Sequence, residues 1–537
     1  MADQSPKRNE QEGLAAARRL ASAGQYDQAS ATLRTLADSA VTDAALLQQI
    51  GVALRDFGDT EGAERAFGRA LVLDPGSAYI RNNLAIVLQD RGETEAACQL
   101  FRQNVHDRPG DPALLNNYLY SAQYVPGVTA QSLFTDHQLW RQQVRAPHAG
   151  TRPPTPAKEM AGRLRIGFLS ADFAAHPVAC FMLPLFRALD RTQCQVICLS
   201  AGRRRDAMTG DFARAADEWH DISELSDADA AALVARQRVD ILFDMAGHTL
   251  GNRLGVFAMK PAPMQVSWAG YVGTTGVPEI DYVLADAHQA PPDEDVYYHE
   301  RVIRLPRCYV PYQPAAYAPD VGPLPALAAG HVTFGSFNHP AKLTRDVIAL
   351  WVDVLGMLPE ARLVLRYRGV DSHANQRRIH DALAAAGLDP GRVRFAGVSA
   401  HRDMLTAYGG IDIALDPFPY SGGVTTCEAL WMGVPVVTLT GRTFAGRHST
   451  SYLTNVGLTQ LIADDVDAYA AAAVLLATDF TRLSQLRAGL RGRMAHSPML
   501  DHGGFARDFM TAMRAAWQDL RRDETTLRPN QGTATVS

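Results

Sequence analysis

Asp416-Pro417-Phe418-Pro419-Tyr420-Ser421-Gly422-Gly423-Val424-Thr425-Thr426-Cys427-Glu428 is the stretch on which the fold turns, because it passes from strand to helix through two glycines. A strand is expected to end at Leu415, Gly422 and Gly423 permit close backbone approach, and a helix should begin at about Thr425. Unpaired amides at such a helix start favour an anion, and the hydroxyls of Thr425 and Thr426 add donors. A diphosphate fits that description. Taken alone, the run also reads as an ordinary glycine turn with Thr425 as the helix cap.

Working outward, the same strand-loop-helix grammar recurs on both sides. The half containing the run opens with Val332-Thr333-Phe334-Gly335-Ser336-Phe337-Asn338, continues through His339-Pro340-Ala341-Lys342 into a helix from Arg345 to Met357, and adds strands at 362–366, 393–395, 411–415 and 435–439. An earlier half begins with the strand Leu164–Ser170 and the loop Asp172-Phe173-Ala174-Ala175-His176-Pro177, which leads into an apolar helix from Phe181 to Leu189. Strands at 195–200, 239–244, 264–268 and 302–305 and a helix at 227–237 follow. Alternation of this kind predicts two parallel sheets with helices on both faces and ligands beyond the strand C-termini, where His176 and His248 both fall. Two such domains facing one another would leave a cleft for a donor and an acceptor.

Before residue 160 the pattern changes. Gly24, Gly58 and Gly92 are spaced 34 residues apart, as are Ala29, Ala63 and Ala97, and Leu33, Phe67 and Phe101; Pro75 and Pro109 keep the interval. Small residues let paired helices approach, Phe67 fills the space between them, and Pro75 ends the second helix. This is the tetratricopeptide pattern. The equivalent positions Gln49, Asn83 and Asn117 place carboxamides along a groove, where they could hold an extended peptide backbone or simply cap contacts between helices.

The boundaries that follow are a disordered start at 1–12, repeats at 13–125, a helical adaptor near 130–144 within a linker segment 126–160, an N-terminal Rossmann-like domain at 161–325, a C-terminal one at 326–520, and a disordered tail at 521–537. A chain of 537 residues suits several domains of about 150 residues each. Its net charge of -5 offers no general attraction to nucleic acid or anionic membrane. Six scattered cysteines lack paired metal-ligand spacing and read as reduced, buried thiols. With neither a secretory leader nor a long apolar run, a cytoplasmic protein is expected.

The run continues as Glu428-Ala429-Leu430-Trp431-Met432-Gly433-Val434-Pro435-Val436-Val437, which resembles the Glu-Ala-Leu-x-x-Gly-x-Pro-Val signature of GT-B glycosyltransferases, enzymes with two facing Rossmann-like domains. With Gly167–Pro177, Asp244–Asn252, Pro261–Gln265, Gly270–Gly276 and Asn338–Lys342, the resemblance sharpens to the protein O-GlcNAc transferases and SPINDLY-like enzymes, and spans all but the ends of the chain.

What the resemblance implies is an α-helical tetratricopeptide solenoid followed by a GT-B enzyme. Its activity would be inverting transfer of GlcNAc from UDP-GlcNAc to Ser or Thr hydroxyls of proteins delivered along the repeat groove. It places His176 beside the sugar, Lys342 on the donor diphosphate, Gly422, Gly423, Val424, Thr425 and Thr426 at the phosphate loop, and Glu428 on the ribose. His339, His401 and Met404 join the donor-binding set, and His248, Gly273 and Thr274 are candidates for the cleft and sugar. Met404 stands where several family members carry a base-contacting His, and Val424 replaces a threonine, so the base stays open between uracil and guanine. The alternatives are a protein O-fucosyltransferase using GDP-fucose, or an inactive tetratricopeptide scaffold.

A fixed ammonium with helix-terminal amides would stabilise the departing diphosphate, so no metal cofactor is expected. Asp293-Glu294-Asp295 has the form of a metal-binding carboxylate motif but reads better as a solvated turn in a Pro-rich loop. His176 could act as a general base or orient the acceptor without taking a proton.

Overall fold

The computed structural model describes residues 5–39, 41–144, 162–397 and 399–526. They pack into two compact units. One combines residues up to Val128 with Tyr317–Arg442 and Gln460–Leu490; the other combines Thr129–Ala316 with Thr443–Thr459 and the chain from Arg491 onward.

The first, repeat-bearing unit begins with three helix pairs, α1 (Ser5–Ser22) with α2 (Tyr26–Asp38), α3 (Ala44–Asp56) with α4 (Thr60–Leu73), and α5 (Ala78–Asp90) with α6 (Thr94–Asp107), followed by α7 (Pro112–Ala122). Gly24, Gly58 and Gly92 turn the chain inside each pair at φ of 78°, 86° and 74°, a conformation that disfavours any Cβ. Ala29, Ala63 and Ala97 are fully buried, and Leu33, Phe67 and Phe101 fill the interhelical space. A Cβ on Gly51 would lie 2.6 Å from the Phe67 ring, so the glycine lets α3 and α4 close on it. Side chains of Asp43, Asp59, Ser77 and Asp111 cap α3, α4, α5 and α7.

The same unit carries the second sheet, with parallel strands β8 (Thr333–Ser336), β9 (Arg362–Arg366), β10 (Val393–Ala396), β11 (Ile413–Leu415), β12 (Val436–Leu439) and β13 (Ile462–Ala463) in the order β10-β9-β8-β11-β12-β13. The companion unit holds β1 (Leu164–Ser170), β2 (Cys194–Ser200), β3 (Glu218–Asp221), β4 (Ile241–Asp244), β5 (Met264–Ser267), β6 (Tyr282–Asp286) and β7 (Arg301–Leu305), all parallel, in the order β3-β2-β1-β4-β5-β6-β7. Both are doubly wound orders. Strand direction of winding reverses between β1 and β4 and between β8 and β11, and ligands of such sheets bind at that point, beyond the strand C-termini.

Three boundaries differ from the expectation. Helix α1 runs from Ser5, so helix covers residues 5–12 where disorder was expected; burial of Leu14 and Ala17 fixes the helix, and further turns add at little cost. Residues 443–459 and 491–520, expected with the C-terminal domain, pack with the companion unit. There the helix His502–Thr526 lays Phe505 and Phe509 against Trp268, with ring centroids 6.2 and 5.8 Å away. That helix also carries residues 521–526, part of the expected tail; residues 527–537, the linker residues 145–160 and residue 161 lie outside the described residues. The adaptor helix α8 (Ala130–Gln143) belongs to the companion unit, where His137 Nε2 lies 2.7 Å from the Tyr271 hydroxyl.

Candidate functional site

In the repeat-bearing unit the loop after β11 is built around Asp416, which is 2% exposed. Its carboxylate accepts from the Gly422 N–H and the Thr438 hydroxyl of β12, each at 2.7 Å, and so folds the loop back onto the sheet. A Cβ on Gly422 would lie 2.3 Å from Thr426 Oγ1 and 2.8 Å from Asp416 Oδ1, so only glycine fits. Gly423 caps the helix Val424–Trp431 and faces open space. The Gly423 carbonyl accepts from Thr426 and Cys427, while the N–H groups of Gly423, Val424 and Thr425 have no partner among the described residues. The Thr425 hydroxyl donates to Asn338 Oδ1 at 3.0 Å.

Lys342 reaches this loop from the turn after β8. His339 Nδ1 accepts from the Ala341 N–H at 3.1 Å and so caps the turn Pro340–Lys342. Lys342 Nζ donates to the Ser421 carbonyl at 2.7 Å and lies 4.3 Å above the Tyr420 ring centroid. Burial pushes its pKa down to about 8, with the Asp416 charge opposing. His339 is pushed down to about 4 by burial, then by Lys342 and Arg368, and is therefore neutral.

One helical step beyond the loop, Glu428 is 4% exposed and its Oε1 lies 2.6 Å from His401 Nε2. The other ring nitrogen of His401 meets the Tyr317 hydroxyl at 2.7 Å. Burial raises the Glu428 carboxyl while His401 opposes, and the hydrogen bond to Glu428 raises His401. Met404 is half-buried on the same helix, His401–Ala407.

In the companion unit the loop after β1 carries His176, its side chain 46% exposed. Its Nδ1 accepts from the Val178 N–H at 3.4 Å and stands 3.8 Å from Asp172 Oδ2, beyond hydrogen-bond reach. Burial lowers its pKa, Asp172 opposes, and Arg204 lowers it further. His248, expected toward the cleft, is 2% exposed; its Nε2 meets the Thr275 carbonyl at 2.7 Å and the rings of Trp140 and Tyr271 enclose it. Burial keeps it neutral, and its hydrogen bond gives it a structural part in tying the loop after β4 to residue 275. Thr274 is likewise engaged, donating to the buried Glu300 at 2.7 Å, which also accepts from the Thr275 N–H at 2.7 Å. Gly273 adopts φ 134° beside this clamp.

Glu294, read in the sequence as part of a solvated turn, is gripped bidentately by Arg447 at 2.6 and 2.7 Å, and Asp295 pairs with Arg304. Ion pairing explains the difference: the arginine that meets Glu294 comes from a segment 153 residues away in sequence. Among the described residues, no cluster of three or more His, Cys, Asp or Glu is placed to hold a metal. The six cysteines are free, five of them buried. In the repeats Gln49 is exposed and Asn83 half-buried, and Asn117 Nδ2 donates to Asn82 Oδ1 at 2.9 Å, an interhelical contact.

The strand-terminal aspartates were not singled out in the sequence, yet both sheets use one. Asp244 ends β4 as Asp416 follows β11, caps the Ala246 and Gly247 N–H groups, and accepts from Ser267 of β5. The signal was present in the paired runs Ile241-Leu242-Phe243-Asp244 and Ile413-Ala414-Leu415-Asp416.

The family model described as Glycosyl transferase family 41 matches residues 145–312 and 324–509. A protein of Arabidopsis thaliana named "Probable UDP-N-acetylglucosamine--peptide N-acetylglucosaminyltransferase SPINDLY" is 37% identical over 413 residues, 76% of this chain and 45% of that one. Its namesake in Oryza sativa subsp. japonica is 36% identical over 407 residues, 75% of this chain and 44% of that one. The chain thus spans under half the length of these curated relatives. Among solved structures, a mutant O-GlcNAc transferase of Thermobaculum terrenum superposes with a TM-score of 0.88 at 32% identity, covering 98% of this chain and all of that one.

Proposed function

The chain belongs to glycosyl transferase family 41, and on that premise we propose that it transfers GlcNAc from UDP-GlcNAc to serine or threonine hydroxyls of proteins. The observation that supports this most is the Lys342 ammonium hydrogen-bonded into a loop whose next helix offers three N–H groups with no partner among the described residues. That combination suits a diphosphate, because the ammonium and the positive end of the helix act on the same charge. In the reaction an acceptor hydroxyl oxygen attacks the anomeric carbon and gives up its proton to water, the bond from that carbon to the β-phosphate oxygen breaks, and UDP departs. Negative charge then grows on the oxygen that Lys342 and the amides face.

His176 is given a positioning role. With Nδ1 accepting from Val178, the neutral ring carries its proton on Nε2 and presents a donor rather than a base. Glu428, oriented by His401, is assigned to the ribose, and Gln49 and Asn83 to acceptor polypeptide passing along the repeats. No helix among the described residues is long and apolar enough to cross a membrane; with its free cysteines the protein is proposed to act in the cytoplasm.

Calorimetric titration with UDP and with GDP tests the donor. UDP should bind at least about tenfold more tightly, a difference near 1.4 kcal/mol. Preference for GDP would move the reading to fucose transfer, and binding of neither would leave a scaffold. Since Lys342 and the amides meet the diphosphate charge, turnover should be unchanged by EDTA. Activity lost to EDTA and restored by a divalent ion would put a metal at the diphosphate instead.

A further inference from the structure

The Tyr420 ring that covers the Lys342 ammonium is itself held from the repeats. Tyr124, just after α7, packs on Tyr420 with ring centroids 4.8 Å apart and an interplanar angle of 33°. Tyr124 is 4% exposed, and its hydroxyl lies 2.7 Å from that of Tyr120 on α7. A continuous path, Tyr120 to Tyr124 to Tyr420 to Lys342, thus leads from the last repeat helix to the ammonium, all within one compact unit. The anchorage of the repeats is broader than this path: the Glu61 carboxylate of α4 accepts from the Ala374 N–H at 2.7 Å, and Arg368 donates to the Asp56 carbonyl at 2.6 Å.

We infer that Tyr124 is a positioning residue for donor binding, holding Tyr420 over Lys342 so that the end of the repeat array forms part of the nucleotide-diphosphate site. This rests on the reading that Lys342 binds the diphosphate. An aromatic face within 6 Å of an ammonium attracts it, more strongly where water is excluded. Lys342 has four rotatable bonds, and its ring cover and its hydrogen bond to the Ser421 carbonyl narrow the directions its ammonium can take. The same cover keeps it dehydrated, consistent with a pKa near 8. The charged and titratable groups acting on it include Asp416 on the glycine loop and His339 on its own turn; His339 in turn meets Tyr367, Arg368 and Asp90, the last 3.6 Å from its Nε2, and Arg378 donates to the neighbouring Leu343 carbonyl at 2.7 Å.

Only four lysines occur in the chain (Lys7, Lys158, Lys260 and Lys342), so lysine-selective isotope labelling gives a spectrum in which Lys342 is assigned by its loss in Lys342→Met. The full chain is titrated with UDP between pH 7.0 and 8.5, and the Lys342 signal is followed over the same range. In Tyr124→Ala the ring is released and the ammonium hydrates. UDP affinity should fall about fivefold at pH 7, and the lysine should titrate above 8, toward the ordinary lysine range, making binding less sensitive to pH. Tyr124→Phe keeps the stack and should bind UDP within twofold of the parent. Tyr420→Leu, at a half-buried position, should lose affinity as Tyr124→Ala does, and serves if the alanine variant does not fold. The inference is overturned if Tyr124→Ala and Tyr420→Leu both bind UDP as the parent does while Lys342→Met has lost binding. If Lys342→Met itself binds UDP normally, the diphosphate assignment fails, whatever the tyrosine variants do.

Discussion

Lys342→Met is expected to lower turnover by about 10²–10³-fold, the effect of removing one donor that faces developing negative charge. Methionine preserves most of the buried stem, so the fold should survive with a thermal midpoint near the parent's. The ammonium, its hydrogen bond to Ser421 and its seat over Tyr420 are what disappear. The wild-type protein carries a matching pH signature. Because burial holds the Lys342 pKa at about 8 in the free protein, the charged form prevails at pH 7 and is lost as pH rises through 8. A bound diphosphate raises that pKa, so binding takes up a proton above pH 8, and UDP affinity should fall by up to about tenfold per pH unit there. Lys342→Met should be weak at pH 7 and nearly flat above it. Steady-state rates with UDP-GlcNAc and a serine-containing peptide, together with UDP titrations at several pH values, check both; a variant with parental turnover would remove the lysine from the site.

Much of this architecture was legible because it is periodic or punctuated. The 34-residue interval named the repeats, and Gly24, Gly58 and Gly92 indeed adopt positive φ. The helix Arg345–Met357 and the strands Leu164–Ser170 and Arg362–Arg366 have the expected bounds, since each is a long apolar pattern with clear stops. Short strands were harder. β3 has the sequence Glu218-Trp219-His220-Asp221 and lies at a sheet edge, and β13 is two residues long, so neither shows an apolar run. Strand β6, Tyr282–Asp286, is buried throughout, but loops and a 3-10 turn rather than α-helices join it to β5 and β7, so the strand-helix alternation does not mark it.

Long-range choices were illegible for a different reason. Periodicity tells that the helix His502–Thr526 has an apolar face, but not that this face covers Trp268 rather than the sheet nearer in sequence. In the same way Glu294 reads as exposed until Arg447 is brought to it. His248 lies beyond a strand C-terminus, the position that suggests chemistry, and only its bond to the Thr275 carbonyl shows how fully it is engaged. What could be read at Asp416 was a strand end; that it organises the glycine loop depends on Thr438, which arrives only when β12 pairs beside β11.

That dependence sets the second large effect. Asp416→Ala leaves the Gly422 N–H and the Thr438 hydroxyl without their carboxylate in a buried place, at about 1–3 kcal/mol for each unsatisfied group. A loss of about 3–5 kcal/mol in unfolding free energy is expected by urea denaturation, with UDP binding abolished even where the protein stays folded. Asp416→Asn separates the two consequences. Its carbonyl oxygen can still accept from Gly422, and the Thr438 hydroxyl can rotate to accept from the new amide, so stability should drop by only about 1 kcal/mol. The negative charge that holds the Lys342 pKa up is gone, however, and that pKa should move below 8. The decline of UDP affinity would then begin at lower pH than in the parent. An asparagine variant with parental stability and an unshifted pH profile would show that Asp416 shapes the loop without acting on the lysine. A shifted profile at nearly parental stability would assign it both parts.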